Sequence, residues 1–207
     1  MAIMCSSDHR FRQTLHIFPD FLPRPGRSAL QLLAFVSCLA SCESPQTDPA
    51  AVADGCADGR LKVELYGALQ TTLDWQGEAL ACEGMPRPDG AGARLRFAGP
   101  GQSGSAKRSL VFIFGLPGLE RDATGKELPT NVTFMEEGTG RFFATQDTNS
   151  CWTDIARHTA IGDATDARYT ISGVMYCVSP LAELNGTASV NFAELHFSGQ
   201  LDWSAPE

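Results

Sequence analysis

From about Cys56 onward, apolar residues recur at every other position over short stretches, the mark of half-buried β-strands. In LKVELYG, Leu61, Val63 and Leu65 share one face, while Lys62, Glu64 and Tyr66 share the other. Leu95 and Phe97 oppose Arg94 and Arg96 in ARLRF. SLVFIFG is continuously apolar from Leu110 to Phe114, as expected of a central strand covered on both faces. NVTF (Asn131–Phe134) and RFFAT (Arg141–Thr145) flank the acidic, glycine-containing stretch Glu136-Glu137-Gly138-Thr139-Gly140, which predicts a hairpin.

RYTISGVMYCV (168–178) predicts a long strand, with Gly173 marking a bulge or a close backbone approach. In ASVNFAELHFSGQLDW, Val190 and Phe192 sit at even positions but Leu195, Phe197, Leu201 and Trp203 at odd ones. That change of parity predicts a β-bulge near Ala193-Glu194. No stretch carries sustained helical periodicity, and residues 151–160 read as one helical turn at most. The pattern therefore predicts an all-β domain over 56–207, an antiparallel sandwich or barrel of about 8–10 short strands.

What precedes this domain is different. Residues 43–55, ESPQTDPAAVADG, hold two prolines, small residues and acids without periodicity, and read as a flexible tether. Ser28 to Leu39 is an apolar run of about 12 residues, which as a helix rises only ~18 Å, short of the ~30 Å hydrocarbon core. Preceded by arginines and closed by small residues, it reads as the h-region of a signal peptide. Leu39-Ala40-Ser41-Cys42 then resembles the lipobox of bacterial lipoproteins: an aliphatic residue, two small ones and a cysteine. The resemblance implies a signal peptide over 1–41, cleavage before Cys42 and lipid on the Cys42 thiol. It further implies a membrane partner through that covalent lipid, in the bacterial cell envelope. In the enteric pattern Asp after the cysteine favours inner-membrane retention, so Glu43 points to the outer membrane. Two or three acyl chains anchor stably where one binds only marginally, at about 0.8 kcal/mol per buried CH₂.

With 43% hydrophobic and 19% charged residues, the chain is globular rather than disordered. Up to Cys42 there are four arginines and two acids, which leaves 22 acids against 12 Lys and Arg from Glu43 onward. A net charge near −10 there repels phosphate backbones and argues against a nucleic-acid partner. Arg94, Arg96, Lys107 and Arg108 read as solvated surface. Of seven cysteines, Cys5 and Cys38 leave with the signal peptide and Cys42 takes lipid. The remaining Cys56, Cys82, Cys151 and Cys177 point to two disulfides in an exported domain, with three connectivities open. Cys56–Cys82 and Cys151–Cys177 are favoured, because each pair brackets a local strand-and-turn unit.

No cofactor motif is present. Gly99 to Lys107 has the look of a phosphate loop, but Lys107 sits three residues past Gly104 and a strand follows, so the stretch reads as a hairpin loop. Ser103 is not in a nucleophile elbow, since Ser105 stands where glycine is required. His158 with Asp154 or Asp163, and Ser150 or Thr153 as nucleophile, sketches a hydrolase. A surface histidine in a polar loop is the plainer reading of His158. His196, between Leu195 and Phe197, is expected to face solvent. Asp163 and Asp166, with Asp147 and Asn149, are weak candidates for structural Ca²⁺, although no EF-hand loop is present. Trp75, Trp152, Trp203, Tyr66 and Tyr169 are candidates for a sugar-binding face, although Trp152 beside Cys151 reads more simply as core packing. The sequons at Asn131 and Asn185 are chance matches in a bacterial host.

Two functional classes remain. One is a non-catalytic envelope module that binds a partner protein, glycan or small ligand; the other is an envelope hydrolase using His158. One feature departs from the lipoprotein pattern. About 27 residues precede the h-region, including Pro19, Pro23 and Pro25, which is long for an n-region. Translation is therefore expected to begin downstream of Met1, near Leu22. Mass spectrometry of the unprocessed precursor should find no peptide from residues 5–20; detecting one refutes the shorter start.

Overall fold

The computed structural model describes residues 56, 58–103, 106–163 and 167–204. The signal sequence, Cys42, the 43–55 tether and Asp166 lie outside the described residues.

Thirteen strands form: β1 (Arg60–Gly67), β2 (Thr71–Gln76), β3 (Ala81–Pro86), β4 (Ala93–Ser103), β5 (Ala106–Leu116), β6 (Gly125–Pro129) and β7 (Asn131–Glu136). They continue with β8 (Arg141–Ala144), β9 (Cys151–Ala160), β10 (Arg168–Cys177), β11 (Leu181–Glu183), β12 (Ser189–Asn191) and β13 (Leu195–Asp202). Pairing is antiparallel throughout and runs β3-β4-β5-β7-β8-β11-β12-β1-β13-β10-β9-β6, with β2 on the free side of β1. This is one open sheet, because β3 and β6 at its ends do not pair with each other.

The sheet folds over on itself about β1, which the aromatic contacts make plain. Phe97 on β4 and Phe114 on β5 meet Phe197 on β13, at 5.7 and 5.6 Å between ring centroids, although these strands are remote along the ladder. Phe112 on β5 meets Trp75 on β2 at 6.3 Å and Phe192 at 6.4 Å. Of the expected antiparallel sandwich or barrel, the all-β antiparallel architecture is present, as one open sheet folded on itself with more strands than the pattern revealed. TTLDWQ of β2 alternates in the same way, with Leu73 and Trp75 buried.

Glycines permit the closest approaches. A Cβ on Gly84 of β3 would meet the Leu201 Cα at 2.8 Å, and one on Gly199 would meet Cys82 Sγ at 3.2 Å. Gly99 and Gly101 of the phosphate-loop look-alike have the same purpose. Gly99 lies directly under the Trp75 indole, and a Cβ on Gly101 would strike Leu110 Cγ at 2.5 Å. The Trp75 Nε1–H donates to the Pro100 carbonyl at 3.0 Å, so the ring is satisfied where it lies. Most of this stretch is strand rather than loop, in β4 and β5.

The expected bulges are present. Val63 pairs with Leu195 but Tyr66 with Asn191, a slip of one residue between β13 and β12 around Ala193-Glu194. A second register shift falls at Ser172/Gly173, where Gly173 pairs with Ile155 and Ser172 with Arg157, leaving Ala156 extra. It corrects one expectation: residues 151–160 are not a helical turn but strand β9. Cys151, Thr153 and Ile155 point inward, then Ala156 shifts the phase and His158 becomes the next buried residue. The alternation was there, broken by one inserted residue.

One end of the core closes with charge. Inward positions Leu110, Glu136 and Arg141 follow the Phe112–Phe134–Phe143 row. Glu136 is only 2% exposed and is held by Arg108 at 3.2 Å and Arg141 at 3.9 Å. Arg141 also donates to Glu183 at 2.8 Å and lies over the Phe143 ring at 4.9 Å. Arg108 is thus a partner of a buried acid rather than a merely solvated cation.

The disulfides are Cys56–Cys82 and Cys151–Cys177, each with a sequence separation of 26. The second joins residues directly opposite each other on β9 and β10. Closing loops of this length stabilises the fold by about 3–4 kcal/mol per bridge on the chain-entropy view. Replacing Cys82 by Ser, with Cys56 also replaced, should lower the denaturant-derived stability by roughly that amount. Denatured but unreduced mature protein should show no free thiol from these four cysteines; titration of four thiols refutes the bridges.

Candidate functional site

The two faces of the folded sheet carry different chemistry, and the candidates divide between them. His158 belongs to the inner face. It is buried, with its ring 4.9 Å from Tyr169 and 5.8 Å from Trp203. Its Nδ1 lies 3.0 Å from the Ala123 carbonyl, which only accepts, so Nδ1 carries the proton. Its Nε2 accepts from the Trp203 indole N–H at 3.0 Å. Around this pair, the Tyr169 hydroxyl donates to Asp122 at 3.1 Å and Arg121 donates to the Trp203 carbonyl at 3.3 Å. The expectation of a surface histidine in a polar loop is corrected: His158 is a core histidine that fastens the segment after β13.

The hydrolase geometry is not assembled. Neither Asp154 nor Asp163 is hydrogen-bonded to His158, and both ring nitrogens are engaged. Asp154 accepts from the Glu127 backbone N–H at 2.8 Å on the outer face, and Asp163 is exposed. The Thr153 and Thr130 hydroxyls bond each other at 2.7 Å, and the Ser150 hydroxyl donates to Asp147 at 2.7 Å. Asp147 also accepts from the Asn149 N–H at 2.9 Å, which makes these residues a turn. The Ser150 hydroxyl and that N–H hold the Asp147 carboxyl below its ordinary range. Among the described residues, no three His, Cys, Asp or Glu side chains gather to hold a metal ion, and Asp166 lies outside them.

The outer face of β1, β13 and β10 is the better candidate. Two adjoining hollows there share Lys62 and His196, with volumes of about 330 and 520 Å³. The bulge creates the larger one. Around Phe192–Glu194 the chain is off the ladder and Phe192 turns into the core, so the sheet surface falls away between β1 and β10. Tyr66 and Glu64 stand on one wall, Tyr176 on the other, with Glu194 and His196 between. This volume lies within the range of small-molecule sites, about 300–1,000 Å³.

Its polar groups are locally paired. His196 Nε2 lies 3.3 Å from Glu194 Oε2, and Arg60 clamps Asp74 with contacts of 3.0 and 2.7 Å. That clamp holds Asp74 below the usual carboxylate range. The Tyr66 hydroxyl bonds Glu64, which pushes the Tyr66 pKa up. Burial raises that of Tyr176, reinforced by the charges of Glu127 and Asp154. Tyr176 stacks on Trp152, with ring centroids 6.1 Å apart.

His196 faces solvent as expected. Of the five aromatic residues put forward for a sugar face, Trp75 and Tyr169 are buried in the core and Trp203 is tied to His158. Trp152 and Tyr66 remain on the outer face. Trp152 is not core packing, since it stacks outward on Tyr176, which links the two. Tyr176 is not among the five candidates, because within RYTISGVMYCV nothing but its phase sets it apart. Its even position in β10, out of phase with Ile171 and Met175, was the available signal.

No family model, curated protein or solved structure matches the chain.

Burial holds the His158 pKa below its ordinary value, with Ala123 and Asp122 acting in the opposite direction. Folding thus favours the neutral ring. The resulting stability is complete above the unfolded-state pKa of about 6.5 and is lost as pH falls toward the lower folded-state value. The denaturation midpoint should therefore decline from about pH 6.5 to 5, above the main carboxylate range, and this decline should be absent in His158→Phe. A flat wild-type profile over that window refutes the assignment.

Proposed function

We propose that this chain is the precursor of a bacterial envelope lipoprotein, anchored by lipid on Cys42, whose β domain is a non-catalytic binding module. The observation that carries the reading is Leu39-Ala40-Ser41-Cys42 placed directly after an apolar run too short to span a bilayer. The two disulfides agree with it, since such bridges persist in oxidising compartments outside the cytoplasm. Among the described residues no helix is long and apolar enough to cross a membrane.

The binding half of the reading rests on the hollowed outer face, which offers an open surface with charged, hydroxyl and aromatic groups. Its ligand is an envelope protein or glycan; nucleic acid is disfavoured by the charge balance. The alternative of an envelope hydrolase using His158 with Asp154 or Asp163 loses its base, because both imidazole nitrogens are occupied. Glu43 favours the outer membrane as the destination.

Metabolic labelling of the full chain in a bacterial host with a palmitate analogue tests the anchor. Wild type should incorporate label, begin at Cys42 after processing and sediment with outer membranes. Cys42→Ser should take up no label and accumulate uncut. Wild-type protein that is exported without label refutes the lipoprotein reading.

A further inference from the structure

Three aromatic rings stand on the outer face of the sheet where the core has no use for them. Tyr66 is 45% exposed, and Tyr176 and Trp152 are half-buried, stacked at 6.1 Å with an interplanar angle of 28°. They lie on β1, β10 and β9, so they form a track across the sheet, with the bulge-made hollow of about 520 Å³ between Tyr66 and Tyr176. Lys62, Glu64, Thr72, Glu194 and His196 edge that hollow with side chains of both charges and a hydroxyl.

We infer that this track is an oligosaccharide-binding groove for a neutral glycan, in which sugar rings lie against Tyr66, Tyr176 and Trp152. The inference deepens the binding-module reading and rests on it. The chemistry selects this ligand over the others. A pyranose presents C–H groups on its faces, which suit an aromatic surface, and hydroxyls on its rim, each of which donates and accepts. A rim carrying carboxylates, an ammonium and an imidazole meets both needs. An anionic polymer would confront Glu64 and Glu194, which outnumber Lys62 around the hollow between Tyr66 and Tyr176. A protein partner would be drawn to large apolar anchors, but Phe142, Val178 and Leu184, the large aliphatic and phenyl side chains exposed among the described residues, do not line the hollow.

The test uses the full lipidated chain in a sugar-free detergent, titrated with hexasaccharides of β-1,4-linked N-acetylglucosamine, β-1,4-linked glucose and α-1,4-linked glucose. At least one should bind with a micromolar to millimolar Kd and shift the tryptophan fluorescence. Tyr66→Ala and Tyr176→Ala should each weaken binding by about tenfold or more, while the corresponding Phe variants stay within about threefold. Trp152→Phe should remove the fluorescence shift. Because Tyr66 is exposed, Tyr66→Ala should melt like wild type, while Tyr176→Ala, which loses the stack on Trp152, should melt only slightly lower and remain folded. The inference is overturned if no hexasaccharide binds up to about 10 mM, or if binding survives both Ala substitutions. Lipid labelling at Cys42 is unaffected by either result. Capture of a protein partner that depends on Tyr66 and Tyr176 would retain the binding module and overturn the glycan.

Discussion

Phe112 touches Trp75, Phe114, Phe134 and Phe192, and through Phe114 it reaches Phe197. These rings come from β2, β5, β7, β13 and the bulge before β13, so a single aromatic cluster joins strands that are remote along the ladder. Hydrogen bonding alone would leave an open ribbon of thirteen strands with one wet apolar face. Burial of each ring contributes roughly 1.5–3 kcal/mol, and tilted ring pairs add about 0.5–1.5. The fold-over about β1 follows from that constraint, as do the glycines at 84, 99 and 199, which let backbone and rings approach.

The same cluster explains the hollow outside. Phe192 must enter the core while its neighbours in β12 and β13 keep their own inward phase, and only an extra residue in the strand allows both. The slip at Ala193-Glu194 provides it and lowers the opposite surface between β1 and β10. Inner packing and outer shape are therefore one event seen from two sides. A change that removed the bulge would turn either Phe192 or Leu195 to solvent.

At its margins the core accepts polar groups only with partners. Glu136 enters between Arg108 and Arg141, and His158 enters with an acceptor at one nitrogen and a donor at the other. Among the described residues, no buried side-chain nitrogen or oxygen lacks a partner. His158 is consequently a fastener, and its buried, doubly bonded ring is poorly suited to proton transfer. On the outer face, by contrast, Lys62, Glu64 and His196 remain exposed to water.

Much of this was legible in the sequence, because period-two alternation and its phase are local properties. β1, β4, β5, β7, β8 and β10 follow from them, as does the bulge from the parity change after Phe192. The pairing of Cys56 with Cys82 and of Cys151 with Cys177 is favoured over the other two connectivities because each pair brackets a local strand-and-turn unit, and the structure has it. What escaped has a common cause. β9 was hidden because Ala156 breaks its alternation, and His158 was misread because its partners, Ala123 and Trp203, lie 35 and 45 positions away. The role of Gly99 depends on Trp75, and the groove on Tyr66 and Tyr176 coming together across β13. Sequence determines which face of each strand is apolar, since that depends on neighbours two residues apart. Tertiary structure alone decides which distant faces meet, since that depends on how the whole sheet folds over its phenylalanines.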